Sequence, residues 1–95
     1  MYVEFSRFVE PDLENISDYI AGDNPARAVR LIQEIRQKIR QIAQQPLLYQ
    51  LRPEIGAGAR LTVVGRNIIL FRVIGQTLRI ERVVYGGRDL PALFQ

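Results

Sequence analysis

Ninety-five residues suffice for one domain with a hydrophobic core, and we expect a single domain over residues 1–95. The chain contains neither histidine nor cysteine, which excludes disulfides, thiolate chemistry and the commonest side-chain ligands of zinc. It also lacks a tight carboxylate cluster and a phosphate-cradling loop, so we expect no metal and no cofactor. No apolar run approaches the ~18 residues of a membrane span, and residues 1–4 lack the pattern of a signal peptide. We therefore expect a cytoplasmic protein with no membrane partner.

Charge is distributed unevenly along the chain, whose formal net charge is +3. Residues 1–24 carry one arginine and six acidic side chains, residues 25–50 five basic side chains and one glutamate, and residues 51–95 seven arginines and three acids. Only one of the 13 basic residues is a lysine. Arginine suits bidentate and stacked contacts with carboxylates and phosphates. The basic segments therefore predict either a solvated surface or a surface for an acidic partner or nucleic acid.

The first half of the chain predicts a short strand followed by a helical hairpin. Residues 2–5 alternate weakly, as a strand does. A helix begins within residues 6–11 and ends near Gly22, because its apolar residues recur every three or four positions. Asn24-Pro25 predicts the N-cap and first turn of a second helix that runs to about Gln45. The link between the helices is so short that they must be antiparallel. The predicted core seam of the second helix is Ala28, Ile32, Ile35, Ile39 and Ile42.

The second half predicts a three-stranded antiparallel meander. Residues 46–59 contain prolines and glycines and indicate a loop, and strands follow at residues 59–64, 67–74 and 77–85. Gly75-Gln76, with glycine first, predicts a type II′ turn. The fold class is therefore α+β, with a helical hairpin packed on an antiparallel sheet. Both faces of the last two strands contain apolar residues, so we expect another segment or a partner to cover part of the face opposite the helices.

Each strand of the meander carries at least one arginine, and together Arg60, Arg72 and Arg82 predict a row across the sheet. Simple alternation places Arg82 on the same face as Ile80 and Val84. Such a row could clamp phosphates, while Tyr85 could stack on a base or transfer a proton and Glu54 could act as a base. The same arginines are equally compatible with a plain surface on which their stems cover apolar neighbours.

The closing stretch Ile80-Glu81-Arg82-Val83-Val84-Tyr85-Gly86-Gly87-Arg88-Asp89-Leu90 resembles the closing motif of ParE-type toxins, usually Arg-Val-x-His-Gly-x-Arg-Asp. Other parts of the chain also resemble this family, in the family's order and spacing. These are Asp12-Leu13 with Ile16, Tyr19-Ile20 and Asn24-Pro25, then Arg52-Pro53-Glu54-Ile55-Gly56, Gly58 with Arg60, Gly65-Arg66 and Phe71-Arg72-Val73. The chain therefore resembles the ParE/RelE superfamily over nearly its whole length, and its ParE-like branch in particular.

The resemblance implies the toxin of a bacterial type II toxin–antitoxin module. It implies an N-terminal strand, a helical hairpin and a C-terminal meander, and neutralisation by a cognate, ParD-like antitoxin in a hetero-oligomer. Antitoxins of this type are commonly acidic where they bind the toxin, which suits the basic segments. Our candidates for antitoxin binding are Tyr19, Arg30, Arg36 and Arg40.

Two mechanisms are compatible with the resemblance. ParE-like members inhibit DNA gyrase and need no bond-cleaving site, and the candidate target-binding residues are Arg60, Arg72, Arg82, Tyr85, Arg88 and Asp89. RelE-like members cut mRNA on the ribosome, and the corresponding candidates are Glu54, Arg60, Arg82 and Tyr85. The chain has Tyr85 where ParE relatives usually have histidine, Asn67 where the family has tyrosine, and no lysine on the strands. The absence of histidine from the chain and of lysine from the strands favours gyrase inhibition over RNA cleavage. A module that binds its antitoxin without toxicity is the third alternative.

Overall fold

The structure is a computed structural model that describes residues 1–94, so Gln95, the last residue of the predicted tail, lies outside it. Its elements are β1 (Tyr2–Phe5), α1 (Val9–Ala21), α2 (Pro25–Gln44), a 3₁₀ turn (Pro46–Leu48), β2 (Arg60–Val64), β3 (Asn67–Ile74), β4 (Thr77–Tyr85) and α3 (Leu90–Leu93). The strand order is β1-β4-β3-β2. The predicted α+β fold is confirmed, but the sheet is mixed rather than wholly antiparallel because β1 lies parallel to β4.

The two long helices begin where local capping chemistry allows. The Ser6 hydroxyl donates to the carbonyl of Glu81 (2.6 Å) and accepts from the backbone N–H of Phe8 (3.2 Å), just before α1. The Asn24 side chain accepts from the backbone N–H of Arg27 (3.1 Å), and Pro25 occupies the first turn of α2. The Asn24 cap fixes the start of α2 that the sequence predicts, whereas Phe8, the N-cap residue of α1, has no side-chain cap and α1 begins within the predicted range.

Two tight turns set the register of the meander. Gly65 and Gly75 have φ of 61° and 59°. Among residues 1–94, every residue with positive φ is a glycine. Positive φ at the first turn position but not at the second is the pattern of a type II′ turn. The prediction for Gly75-Gln76 is therefore confirmed, and Gly65-Arg66 closes the preceding hairpin in the same way.

The main core lies between the helical hairpin and one face of the sheet. It consists of Val9 and Leu13 from α1, Ile35, Ile39 and Ile42 from α2, and Val64, Ile69, Phe71, Leu78, Ile80 and Val83 from the strands. The predicted seam of α2 packs into this core, with Ile32 only partly buried at its margin. Burial of these side chains explains why α2 stays helical despite its five positive charges.

A β-bulge in β4 changes which residues share a face. Phe71 pairs with Ile80 but Leu70 pairs with Arg82, so Glu81 is an extra residue on β4. Ile80 therefore packs under the helices, whereas Arg82 is in register with Leu70, which belongs to the opposite face. The prediction that Ile80 and Arg82 share a face is wrong, because strict alternation assumes that no residue is inserted.

A second, smaller core covers the far side of the sheet. Ile55, Ala59, Leu70 and Phe94 are buried there, with Leu61 and Leu90 packed around them. The residues come from the loop before β2, from the strands and from the C-terminal tail. The expectation that another segment covers the far face is confirmed, and the segments are the loop and the tail.

The contact between Gly56 and Phe94 gives a test of this second core. A Cβ atom built on Gly56 would overlap the Phe94 ring, so Gly56→Ala must displace a ring that is 5% exposed. We expect a loss of about 1–3 kcal/mol in the free energy of unfolding, measured by urea denaturation. Gly22→Ala is the matched control, since its Cβ would meet only ordinary contacts. Equal stability of both variants would contradict this packing.

Candidate functional site

Arg82 forms a bidentate ion pair with Asp12 that joins β4 to α1. Its Nε donates to Asp12 Oδ2 (2.8 Å) and its Nη2 to Oδ1 (2.7 Å), while the backbone N–H of Val83 donates to Oδ2 (3.1 Å). The two side chains are 14% and 7% exposed. Hydrogen bonding to the Asp12 carboxylate raises the pKa of the Arg82 guanidinium. Arg82 also lies over the Phe8 ring, 4.7 Å from its centroid. The ion pair between Arg82 and Asp12 therefore stabilises the packing of α1 against β4.

Arg60 fastens the loop that precedes its own strand. Its guanidinium donates to the backbone carbonyl of Tyr49, and its backbone forms a bridge with Leu51. The Tyr49 ring in turn meets Phe71 edge-on, with centroids 5.6 Å apart. Since Arg60 is also in register with Phe71, it lies on the helix-covered face of the sheet.

Arg72 lies on the opposite face, within a network of charges. Arg72 and Arg79 face each other across β3 and β4, and Glu81 forms ion pairs with both. Glu4 extends the network through a second ion pair with Arg79. The Arg72 guanidinium also stacks on the Phe94 ring, 4.3 Å from the centroid, and donates to the Phe94 carbonyl (3.3 Å). Arg72 therefore clamps the C-terminal tail.

The three strand arginines do not form a single row. Arg60 lies on the helix-covered face, Arg72 on the far face, and Arg82 turns around the edge of β4 to reach Asp12. The predicted arginine face is wrong, since Arg60 lies on the opposite face from Arg72 and the Arg82 side chain is directed to Asp12 on α1.

A different cluster of exposed side chains forms at the end of β4. Tyr85 is 55% exposed, and Arg88 and Asp89 follow it on the surface. The backbone N–H of Gly86 donates to the carbonyl of Arg66 (2.9 Å), which brings the β2–β3 turn alongside. We call Arg66, Tyr85, Arg88 and Asp89 the β4 tip. None of its charged side chains forms an ion pair within residues 1–94.

Arg66 was not among the residues that the sequence singled out. Its place in the tip depends on the hairpin register, in which Asn67 is opposite Tyr85. The two-residue turns on both sides of β3 imply a register in which Asn67 is opposite Val84 and Arg66 is opposite Tyr85, and the bulge at Glu81 shifts it by one residue. Tracing it through both hairpins would have placed Arg66 beside Tyr85.

Glu54 lies in the loop before β2, on the surface. Its carboxylate accepts from Arg52 Nε (2.7 Å), and this hydrogen bond holds the pKa of Glu54 below its usual value. A carboxylate with a lowered pKa is a weaker base, which makes Glu54 poorly suited to abstract a proton at neutral pH.

Removing the guanidinium beside Glu54 gives a direct test of this assignment. In Arg52→Ala the carboxylate loses its charged donor, so we expect the pKa of Glu54 to rise towards its ordinary value. An NMR titration of the Glu54 side-chain carbon measures it. Arg27→Ala, which removes an exposed charge from α2, should leave that titration in place. An unchanged pKa in Arg52→Ala would contradict the assignment.

The candidate antitoxin-binding residues are divided between the two sides of α2. Arg36 and Arg40 line a slot of about 200 Å³ with Val3, Phe5 and Ile39. Arg30 lines a larger groove of about 730 Å³ between α2 and β2, and Arg40 lines this groove as well as the slot. Tyr19 is 87% exposed on α1 and lines neither.

Two further properties concern residues 1–94 as a whole. No three histidine, cysteine, aspartate or glutamate side chains in that range are grouped so that they could hold a metal ion. In the same range, no helix combines the length and apolar character that crossing a bilayer requires.

The mixed sheet under a helical hairpin is the fold of a toxin class from type II toxin–antitoxin modules. A family model described as the ParE toxin of the type II toxin–antitoxin system parDE matches residues 3–90, and the chain belongs to this family. The fold is similar to a solved structure titled "Chromosomal ParDE TA system from P. aeruginosa", with a TM-score of 0.77 and 25% sequence identity. The match covers 90% of this chain and 95% of that one. No curated protein matches the sequence.

Proposed function

We propose that this chain is a cytoplasmic toxin that stops bacterial growth by binding DNA gyrase through its β4 tip, without catalysis. We further propose that a cognate, ParD-like antitoxin neutralises it in a hetero-oligomeric complex. Membership of the ParE toxin family supports the toxin role. The similar structure, whose title names a ParDE system, supports an antitoxin partner. The choice of gyrase rests on the resemblance to ParE-like toxins.

The observation that carries a binding mechanism is the contrast between two sets of arginines. Arg60, Arg72 and Arg82 each have a partner inside the chain. Arg66 and Arg88 are exposed beside Tyr85 and have no ion pair within residues 1–94. Tyrosine and arginine are the residues that most often anchor protein interfaces. The β4 tip therefore offers two cations and an aromatic ring to a partner, whereas Arg60, Arg72 and Arg82 stabilise the fold.

The same contrast weighs against an RNA endonuclease of the RelE type. A cation that stabilises a transition state must be available to the reacting phosphate. Arg82 is not available in this way, because its guanidinium forms a bidentate ion pair with Asp12. Glu54 is exposed and tied to Arg52. Of the predicted nuclease residues, only Tyr85 is both exposed and unpaired, and one tyrosine supplies no cation for the charge that develops on the phosphate.

Titration of the purified chain into a supercoiling reaction of purified gyrase tests the proposal. We expect inhibition that increases with toxin concentration and is reversed by the protein encoded in the adjoining reading frame. Full supercoiling activity at saturating chain would overturn the gyrase target. New mRNA ends in a translation extract, lost in a Tyr85→Phe variant, would identify a nuclease instead. Unimpaired growth on induced expression would indicate a module that only binds its antitoxin.

A further inference from the structure

The outer edge of the sheet at β1 offers unpaired backbone groups. The N–H groups of Tyr2 and Ser6 donate to Gln76 and Ile80 carbonyls (both 2.9 Å), so they point towards β4. Successive residues of a strand point their backbone groups in alternate directions, and the N–H groups of Val3 and Phe5 therefore point outwards. This edge can accept one more strand through main-chain hydrogen bonds.

The same edge also exposes an unusual amount of apolar side chain. Four of the first five residues are hydrophobic and largely exposed: Met1 53%, Tyr2 73%, Val3 39% and Phe5 44%. Edge strands are ordinarily protected by charge, proline or a covering element, and here the only charge is Glu4, which is paired with Arg79. An exposed apolar edge of this kind indicates an interaction surface.

The slot beside β1 adds charge and shape to this surface. Val3 and Phe5 are in register with the buried Leu78 and Ile80, so their side chains lie on the helix-covered face. There they line the slot of about 200 Å³ with Ile39, and Arg36 and Arg40 stand at its rim. Within residues 1–94 the guanidinium of Arg40 donates a hydrogen bond only to Gln37, and that of Arg36 has a long contact (3.4 Å) with Glu10. The rim therefore retains positive charge for a carboxylate.

We infer that the β1 edge binds an extended segment of the antitoxin, an inference that rests on the proposed function. The segment adds a strand beside β1, places an apolar side chain in the slot, and pairs an acidic side chain with Arg40. A second copy of this chain fits less well. Its β1 brings only Glu4, which lies in register with Arg79 on the opposite face, and a two-fold axis would bring the arginines of both copies together.

Backbone substitution at the two open edges tests the inference. Val3→Pro removes an outward N–H without touching the bonds to β4, and proline is tolerated on edge strands. Val63→Pro is the matched control, since Val63 precedes the hydrogen-bonded pair Val64 and Asn67, and its N–H points away from β3. The probe is the purified protein of the adjoining reading frame, titrated calorimetrically into each variant after its fold is verified by circular dichroism.

We expect Val3→Pro to weaken binding about 10–100-fold and Val63→Pro to leave it within about twofold. On the charged rim, Arg40→Glu should weaken binding about tenfold or more, whereas Arg27→Glu, an equal charge change at an exposed position of α2 that lines neither cavity, should not. Equal binding by Val3→Pro and wild type would overturn the β1 edge alone. No binding by the wild type would overturn the proposed partner and this inference with it. A wild-type dimer abolished by Val3→Pro would assign the edge to a second copy and overturn the inference.

Discussion

Asp12→Ala is expected to lower the free energy of unfolding by about 3–5 kcal/mol, the largest effect of any single polar substitution in the chain. The variant leaves the Arg82 guanidinium without its bidentate partner and the Val83 N–H without an acceptor. Water cannot fully replace the lost carboxylate as a partner of these two groups, because the Arg82 side chain is only 14% exposed. A small domain is stable by about 5–15 kcal/mol, so much of its stability would be lost.

Equilibrium urea denaturation measures this loss of unfolding free energy, and two further variants serve as controls. Glu14→Ala, on the exposed side of α1, should change stability by less than about 0.5 kcal/mol. An Asp12→Ala, Arg82→Ala double variant should lose less than the sum of the two single variants, because the second substitution removes the uncompensated charge. A loss in Asp12→Ala no larger than that of Glu14→Ala would contradict the structural role of the pair.

This role changes how a functional assay of Arg82 has to be interpreted. Arg82→Ala would abolish toxicity by destabilising the packing of α1 on β4, whether or not Arg82 touches a target. Loss of activity in that variant is therefore no evidence for a contact. The arginines of the β4 tip lack such an internal partner within residues 1–94, and substitutions there are free of this ambiguity.

Phe94→Ala is expected to cost about 3 kcal/mol of unfolding free energy. The ring is 5% exposed and completes the second core with Ile55, Ala59 and Leu70. It also supports the Arg72 guanidinium, which lies 4.3 Å from its centroid. Its loss opens a cavity against Leu70 and removes the anchor of α3, so the amides of residues 90–94 should also exchange faster with solvent.

Thermal and urea unfolding with hydrogen exchange measure both effects. Leu47→Ala is the control, because that side chain is 69% exposed and its truncation should cost less than about 0.5 kcal/mol. A Phe94→Ala variant with wild-type stability and unchanged exchange at the tail would mean that the tail does not close the second core.

The sequence predicted the secondary structure well because the signals are local. Asn24-Pro25 caps α2, Gly65 and Gly75 close the hairpins, and the β-branched run of residues 67–74 forms β3. Each of these signals acts within a few residues and depends little on the rest of the chain. The family resemblance was based on short segments of this kind. It was therefore unaffected by the wrong prediction of where the arginines lie on the sheet.

The site was predicted less well because it depends on contacts between distant residues. Asp12 and Arg82 are 70 positions apart, and no local sequence signal near either residue predicts that they form an ion pair. The inserted Glu81 reverses the faces of β4 beyond it, and a period-two pattern cannot reveal an insertion. Arg72 and Phe94 meet because the tail folds back on the sheet, a tertiary event that composition does not encode.

Binding of the target through the β4 tip can be tested in a single experiment. The most direct measurement compares wild type, an Arg66→Glu, Arg88→Glu double variant and an Arg27→Glu, Arg30→Glu control in one supercoiling reaction of purified gyrase. We expect the control pair, exposed on α2, to inhibit like the wild type, and the tip pair to lose at least about tenfold in potency while keeping its fold. Undiminished inhibition by the tip pair would contradict binding of gyrase through the β4 tip.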